Sequence, residues 1–190
     1  MQIVRAVLAV ASVSAVLATA PSAVACGIER WPEKTLQDRR ASLVNFTPKP
    51  TSIDTLRRKR VRRDPEGFRN APVETTVYRV RARLIGVRAE DDGDVHLVIS
   101  TLTNHRRTMI VEMPSADCIA RASRTARRKM RAARRSFERV SGPAPDTFEA
   151  LHGTATIDGV GFFDLIHGQT GIAPNGIELH PVTRFRASSC

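Results

Sequence analysis

The chain has 190 residues, with 30 Lys and Arg against 19 Asp and Glu, and a formal net charge of +11. This length suffices for one ordinary domain with extensions, and so strong a positive charge favours contact with anionic polymers or surfaces. The sequence has no G-x-S-x-G, H-E-x-x-H, C-x-x-C or G-x-x-x-x-G-K motif. It therefore gives no support to a standard serine hydrolase, zinc protease or phosphate-loop nucleotide-binding protein.

Residues 1–25 predict a cleaved signal peptide. A short start with one positive charge precedes an apolar segment at residues 6–20, and residues 23–25 (Ala-Val-Ala) form a small-residue cleavage signal. The apolar segment is too short for a transmembrane anchor. The residues before Cys26 lack the Leu that is usual in lipoprotein signals, so we favour export to the periplasm or the medium over a lipoprotein. Removing Arg5 with this segment leaves a mature chain near +10, because 29 Lys and Arg then face 19 Asp and Glu.

Residues 26–72 predict an N-terminal arm that lies outside the core. Five prolines interrupt any long helix, although residues 51–56 suit a short helix capped by a hydroxyl or a carboxylate. A basic run follows at residues 57–63, and such a run is either a solvated loop or a contact with a polyanion. The candidate polyanion contacts in this run are Arg57, Arg58, Lys59 and Arg60.

From residue 73 the pattern becomes that of strands. Apolar residues from Tyr78 to Leu84 alternate with arginines, and the apolar phase then shifts by one at Ile85. A shift of phase within one strand predicts a bulge. Asp92-Gly93 predicts a hairpin turn, and two further strands are expected at residues 95–99 and 109–113.

A long helix is predicted from residue 116 to residue 140. Its apolar residues recur at spacings of three and four, and nine Lys or Arg residues fill most of its other positions. One face therefore packs on the sheet, and the cationic face is either solvated or bound to a polyanion. The candidate polyanion contacts on this helix are Arg124, Arg127, Arg128, Arg131 and Arg135.

Two more strands are expected at residues 148–157 and 176–185, joined by a glycine-rich loop in which Phe162 and Phe163 plug one end of the sheet. The order is strand, strand, strand, helix, strand, strand. This order predicts a mainly β fold with one long helix, a five-stranded Greek-key barrel like the OB fold, over residues 73–186. An open α+β sheet is the alternative, and residues 187–190 are expected to form a tail.

Three pairs of acidic and imidazole side chains are the candidate site. Asp94 and His96 share one face of a strand, as do Glu178 and His180. Asp164 and His167 border the glycine-rich loop. Carboxylate with imidazole suits a divalent metal ion, general acid/base chemistry, or hydrogen bonds that merely order loops. No cofactor is predicted, and a divalent metal ion stays open.

Several segments together resemble a family of uncharacterised exported bacterial proteins. They are Cys26-Gly-Ile-Glu-Arg-Trp-Pro-Glu-Lys-Thr35, the stretch from Glu90 to Ile99, Met109-Ile-Val-Glu-Met-Pro with Cys118, Gly159-Val-Gly-Phe-Phe-Asp164, His167-Gly-Gln-Thr-Gly171 and Ala173-Pro-Asn-Gly-Ile-Glu-Leu-His-Pro181. The resemblance spans most of the mature chain and implies no activity.

Cysteine pairing is left open by an odd count of three. Cys26 with Cys118 is the preferred pair, because it would tie the mature N-terminus to the domain. The resemblance implies that both belong to the shared pattern and that Cys190 does not.

The function favoured by these patterns is a small exported binding module, with an anionic polymer, lipid head groups or extracellular nucleic acid as its partner. One alternative is a metal-dependent hydrolase of nuclease or phosphodiesterase type that uses the acidic and imidazole cluster. Another is a structural protein of the cell envelope. An enzyme is less favoured than a binding module.

Overall fold

The computed structural model describes residues 26–61 and 68–188. Its helices are α1 (Trp31–Lys34), α2 (Ile53–Leu56) and α3 (Arg124–Ser141). Its strands are β1 (Asn45–Pro50), β2 (Thr76–Ala89), β3 (Val95–Ser100), β4 (Thr108–Met113), β5 (Glu149–Ala150), β6 (Thr154–Phe163) and β7 (Ile177–Ala187).

Five of these strands close into a barrel. Their order is β2-β3-β4-β7-β6, and β6 pairs back onto β2 between Val77–Val160 and Arg83–Thr154. All these pairings are antiparallel except β4 with β7, which is parallel. With α3 between the third and fourth barrel strands, this is the predicted OB-like topology. The alternative of an open sheet is wrong, because the β2–β6 pairing closes it.

Strand β2 serves both halves of the barrel, as its pattern predicts. Its first half pairs with β6, its second half pairs with β3, and the register against β3 shifts between Leu84 and Gly86. Gly86 also leaves room for Phe148 and the backbone of Glu149 in the short strand β5, where a Cβ atom would clash. The bulge therefore bends the strand at the point where the apolar phase changes.

The core lies inside the barrel and continues under α3. Inward residues of β2 to β7 are almost completely buried, among them Val80, Leu97 and Val111. The helix adds Phe137, whose ring meets Phe185 of β7 edge-on at 5.4 Å between centroids. A second cluster forms where Ala126 and Met130 of α3 meet the N-terminal segment.

Helix α3 begins at Arg124, eight residues later than predicted. Residues 117–119 form a 3₁₀ turn instead, which holds Cys118 in its disulfide with Cys26. Ser123 then starts a new helix, because its hydroxyl accepts a hydrogen bond from the Ala126 amide at 3.2 Å. The apolar spacing runs across this break, so periodicity alone missed it. The disulfide joins the two cysteines that the sequence analysis preferred.

The glycine-rich segment is also different from the prediction. Residues 159–163 lie within β6 rather than in a loop, and the strand expected at residues 148–157 is divided between β5 and β6. Glycine is required here by close packing, since a Cβ atom on Gly161 would lie 2.9 Å from the Val73 carbonyl oxygen. Phe162 and Phe163 are buried as expected. The β6–β7 loop covers residues 164–176.

The N-terminal segment is not an arm outside the core. Ile53 and Leu56 belong to the main core cluster, while Leu36 and Val44 belong to the second. Strand β1 pairs in parallel with β2, and the disulfide fixes the start of the segment. The predicted short helix is present as α2, capped by the Ser52 hydroxyl.

Some predictions lie outside the described residues. They are the signal peptide at residues 1–25, the end of the basic run at residues 62–63, and Cys190. Among the described helices, none combines the length and hydropathy that a membrane span requires.

Candidate functional site

A cleft of about 450 Å³ opens at one end of the barrel, between the β2–β3 turn and the β6–β7 loop. We call it the mouth cleft. Its carboxylates are Glu90, Asp91, Asp92, Glu112 and Asp164. Its basic groups are Lys34, Arg88, His96 and His167. The two loops are the equivalents of those that bind ligands in OB folds.

Strand register brings the first imidazole to the floor of this cleft. His96 of β3 lies opposite Glu112 of β4, and its Nδ1 is 3.0 Å from Glu112 Oε1. Its Nε2 is 3.0 Å from the carbonyl oxygen of Thr170 in the β6–β7 loop. Both ring nitrogens of His96 are therefore used, and they join two strands to the loop.

The second imidazole, His180 of β7, lies behind Glu112 and is fully buried. Its Nδ1 is 2.9 Å from Glu112 Oε2 and 3.2 Å from Glu178 Oε1. Its Nε2 is 3.2 Å from Oδ2 of Asp94, the residue just before β3. The other Asp94 oxygen accepts a hydrogen bond from the Ser115 amide. Glu112 is thus shared between the two imidazoles.

Two atoms of this network are unsatisfied. Asp94 Oδ2 and His180 Nε2 are close enough for an ion pair but are not aligned for a hydrogen bond, and neither has a hydrogen-bond partner among the described residues. Asp164 Oδ1, beside the mouth cleft, is likewise buried without a partner. Buried polar atoms of this kind cost about 1–3 kcal/mol each, so they point to a function or a ligand.

The electrostatics of the shared carboxylate follow from its neighbours. Burial alone would raise the pKa of Glu112, but hydrogen bonds and attraction from His180 and His96 hold it well below its usual value. Burial would lower the pKa of His96, yet hydrogen bonds to Glu112 and Glu90 raise it to about 10. His96 is therefore an imidazolium at neutral pH.

Deeper in the network, the pKa of the Glu178 carboxyl is raised, whereas that of Glu112 is lowered. Burial, and then repulsion from Glu112, raises the pKa of Glu178 to about 8. The pKa of His180 is raised despite its burial, because Asp94, Glu112 and Glu178 surround it. At the cleft rim, burial and the neighbouring Asp94 raise the pKa of Asp92 to about 6.

Four of the six candidate residues come together. Asp94, His96, Glu178 and His180 form one connected network. Asp164 lies at the cleft rim, where it pairs with Lys34 at 3.2 Å. His167 lines the cleft but is exposed and does not join the network.

Sequence reasoning missed Glu112 and Glu90. Glu112 is the one charged residue in a β4 that is otherwise buried and mostly apolar, and that was the available signal. Glu90 lies 3.1 Å from His96 Nδ1 and closes the cleft side of the network. Lys34 of α1 was also missed, because the N-terminal segment was expected to lie away from the barrel.

The proposed polyanion contacts divide into two groups. Arg57 donates to the Thr108 carbonyl oxygen, Arg127 donates to those of Ala120 and Ala122, and Lys59 lies over the Tyr78 ring. These three side chains are engaged within the protein. The exposed candidates are Arg58, Arg60, Arg124, Arg128, Arg131 and Arg135.

A second depression of about 440 Å³ runs between β1 and α3, and we call it the basic groove. Arg79, Arg128, Lys129 and Arg184 line it, with Asp158 as its acidic residue. Asp158 pairs with Arg79 at 2.6 Å, so a net positive charge remains. The two depressions therefore carry opposite charge.

Comparison with known proteins adds little beyond this geometry. No protein-family model matches the sequence, and no curated protein matches it. Among solved structures, the chain is similar to one described as "a putative aspartyl-tRNA synthetase from Leishmania major Friedlin", at 12% identity and a TM-score of 0.42. That match covers 75% of this chain and 21% of the other. The class defined by the fold alone is a closed five-stranded barrel of the OB type.

Proposed function

We propose that this protein is an exported ligand-binding module whose ligand occupies the mouth cleft and carries a positively charged amino or guanidinium group. One observation carries the proposal. Five carboxylates line the cleft, against three groups that are positive at neutral pH, Lys34, Arg88 and His96. The body of the protein is strongly basic, so this acidic surface is local.

Three features of the cleft support such a ligand. It lies between the two loops that OB folds use for binding, and its volume falls within the range of small-molecule sites. Asp164 Oδ1 is a buried acceptor that lacks a donor among the described residues. A ligand N–H group would supply that donor.

The disulfide supports the exported part of the proposal. Cys26 and Cys118 are separated by 92 positions in the chain and are bonded to each other. Such bonds persist in oxidising compartments such as the periplasm or the medium.

A polyamine titration tests the proposal. We expect spermidine to bind the mature protein at low salt, and Asp91→Asn/Asp92→Asn to weaken binding about thirtyfold, since each of the two lost charge contacts is worth about 1 kcal/mol in water. Calorimetry measures the affinity. Asp117→Asn/Asp146→Asn is the matched control, because it removes two exposed charges that do not line the cleft.

Comparison of the two double variants separates binding at the cleft from a response to net charge. If both double variants weaken binding equally, spermidine responds to net charge and the cleft is not its site. If the wild-type protein does not bind spermidine at low salt, the proposal fails for cationic ligands as a class.

A second candidate function is contact with an anionic polymer at the basic groove. The observation that favours it is the meeting of Arg128 and Lys129 of α3 with Arg79 and Arg184 of the sheet around one groove. Four cations there face one carboxylate, which already pairs with Arg79. This candidate narrows the polyanion prediction from the whole helix to one groove.

A further inference from the structure

Two sets of potential ligands meet at Glu112. One consists of Asp94, Glu112 and His180, and the other of Glu90, His96 and Glu112. In each set, one nitrogen or oxygen atom from every residue lies within 4.8 Å of the other two. Geometry alone does not separate the two sets.

Hydrogen bonding does separate them. In the outer set, His96 uses Nδ1 toward Glu112 and Nε2 toward the Thr170 carbonyl oxygen, so its ring is satisfied. In the inner set, Asp94 Oδ2 and His180 Nε2 have no hydrogen-bond partner among the described residues, although the two residues are only 1% and 0% exposed. The inner set therefore has two atoms without a hydrogen-bond partner, whereas both ring nitrogens of His96 in the outer set are bonded.

The spacing of the two unsatisfied atoms matches ligands of one ion. They lie 3.2 Å apart. Two ligands bound at about 2.0–2.2 Å in tetrahedral geometry are themselves separated by roughly 3.3–3.6 Å. A small adjustment would place both on one ion. Glu112, whose Oε2 lies 2.9 Å from His180 Nδ1, becomes the third ligand by turning its carboxylate toward that ion.

The surroundings hold these ligands in place. Asp94 Oδ1 accepts the Ser115 amide at 3.0 Å, which leaves Oδ2 directed at His180. His180 Nδ1 lies 2.9 Å from Glu112 Oε2 and 3.2 Å from Glu178 Oε1, so the ring nitrogen away from Asp94 faces two carboxylates. An imidazole backed by a carboxylate, and a ligating carboxylate fixed by a backbone amide, are typical supports of a metal site.

We propose that Asp94, Glu112 and His180 form a binding site for a divalent transition-metal ion such as Zn²⁺. Imidazole nitrogen with carboxylate oxygen suits this class of ion, whereas Ca²⁺ and Mg²⁺ favour oxygen ligands alone. Glu112 also lines the mouth cleft, which gives the ion a path inward and a side open to a further ligand. The inference deepens the proposed function. It rests on that proposal for one premise, which is that cations bind at the mouth cleft.

Zinc titration of the mature protein tests the site. A Cys190→Ser background is used, because a thiolate is itself a zinc ligand. After chelator treatment, we expect one Zn²⁺ per chain by calorimetry, with Ca²⁺ binding far more weakly. We expect Asp94→Asn and His180→Gln each to lower zinc affinity by at least about tenfold, since they remove ligands.

Two control variants locate the ion. Glu90→Gln changes only the outer set and should keep zinc affinity within about twofold, since ligand loss costs more than that. His152→Gln removes an exposed imidazole outside both sets and should change nothing. A larger loss in Glu90→Gln than in Asp94→Asn would place the ion in the outer set and overturn the inference.

Thermal unfolding with and without zinc, together with circular dichroism, checks that the variants are folded. Zinc should raise the thermal midpoint of the wild-type protein and of Glu90→Gln by similar amounts, and should raise that of Asp94→Asn by less at the same zinc concentration, since the affinity of that variant is lower. An Asp94→Asn variant that is folded by circular dichroism and stabilised by zinc as strongly as the wild-type protein would contradict the site. So would a wild-type protein that binds no zinc.

The two proposals fail separately. Asp91→Asn alone should weaken spermidine binding while leaving zinc affinity within about twofold, because Asp91 is exposed and does not belong to the inner set. Loss of zinc binding with spermidine binding intact removes only the metal site. Loss of spermidine binding with zinc binding intact removes only the cleft proposal.

Discussion

Glu74 is the buried carboxylate that ties the N-terminal segment to the barrel. It is 0% exposed and accepts hydrogen bonds from Arg30, from the Asn70 amide and from the Phe163 amide at the end of β6. Arg30 in turn lies over the Phe162 ring at 4.4 Å. One side chain thus holds three separate parts of the chain beside the mouth cleft.

We expect Glu74→Gln to lower the free energy of unfolding by about 3 kcal/mol, because it removes the charge from a buried and fully hydrogen-bonded pair. Urea unfolding followed by circular dichroism measures the change. Glu138→Gln is the control, since Glu138 belongs to a more exposed pair with Arg134 and should cost about 0.5 kcal/mol or less. Equal losses in the two variants would refute the role given to Glu74.

For single residues of the site, the sequence predicts which two side chains share a strand face better than it predicts the network that joins several strands. Glu178 and His180 lie two residues apart on β7, and Asp94 lies two residues before His96, so the pleat alone predicts that each two share one face. Glu112 joins them only because β3 and β4 pair with His96 opposite Glu112. That register depends on the length and shape of the connecting loop at residues 101–107, which local patterns do not determine.

The β6–β7 loop is the element whose shape sets the mouth cleft. Two of its glycines, Gly168 and Gly171, have φ values of +91° and +84°. A Cβ atom on Gly168 would meet open space, whereas one on Gly171 would overlap the side chain of Val98. Val98 is buried and branched at Cβ, so it has little freedom to move.

We expect Gly168→Ala to cost about 1 kcal/mol, from the unfavourable backbone conformation alone. Gly171→Ala should cost about 2–4 kcal/mol, because overpacking against Val98 is added to the same strain. Thermal unfolding of the two variants measures the difference. Equal destabilisation would mean that the loop can move away from β3 at no cost.

Elements were predicted well where one local signal determined them. The hairpin at Asp92-Gly93 and the bend in β2 both follow from a few adjacent residues. The start of α3 was placed too early, because the disulfide at Cys118 and the cap at Ser123 interrupt a continuing apolar spacing. The strand through Gly159 and Gly161 was read as a loop, since glycine suggests a turn unless close packing of neighbours is known.

The whole molecule separates its charge into two regions. The mouth cleft is acidic, while the basic groove and the exposed side of α3 are strongly positive. Composition predicts the excess of positive charge but not this separation. The fold produces it by bringing acidic residues from the β2–β3 turn, β4 and the β6–β7 loop to one place.

We expect Arg128→Gln/Arg184→Gln to reduce the salt dependence of binding to a DNA duplex, with the slope of log K against log salt falling by about two. Both arginines line the basic groove. Fluorescence anisotropy across a series of salt concentrations gives the slope.

The control for this experiment is Arg39→Gln/Arg106→Gln, which removes two exposed charges outside the groove. Its slope should match that of the wild-type protein. If both double variants lower the slope equally, binding follows net charge, and the groove has no special role.

The most direct test of the account is to map spermidine binding by amide chemical shifts of the mature protein at low salt. The central claim is that the mouth of the barrel, and not the rest of the surface, binds cations. We predict that the largest shift changes occur at residues 90–94 and 164–172, where the two loops enclose the cleft. Changes spread evenly over the acidic side chains of the surface, with none concentrated in these loops, would contradict it.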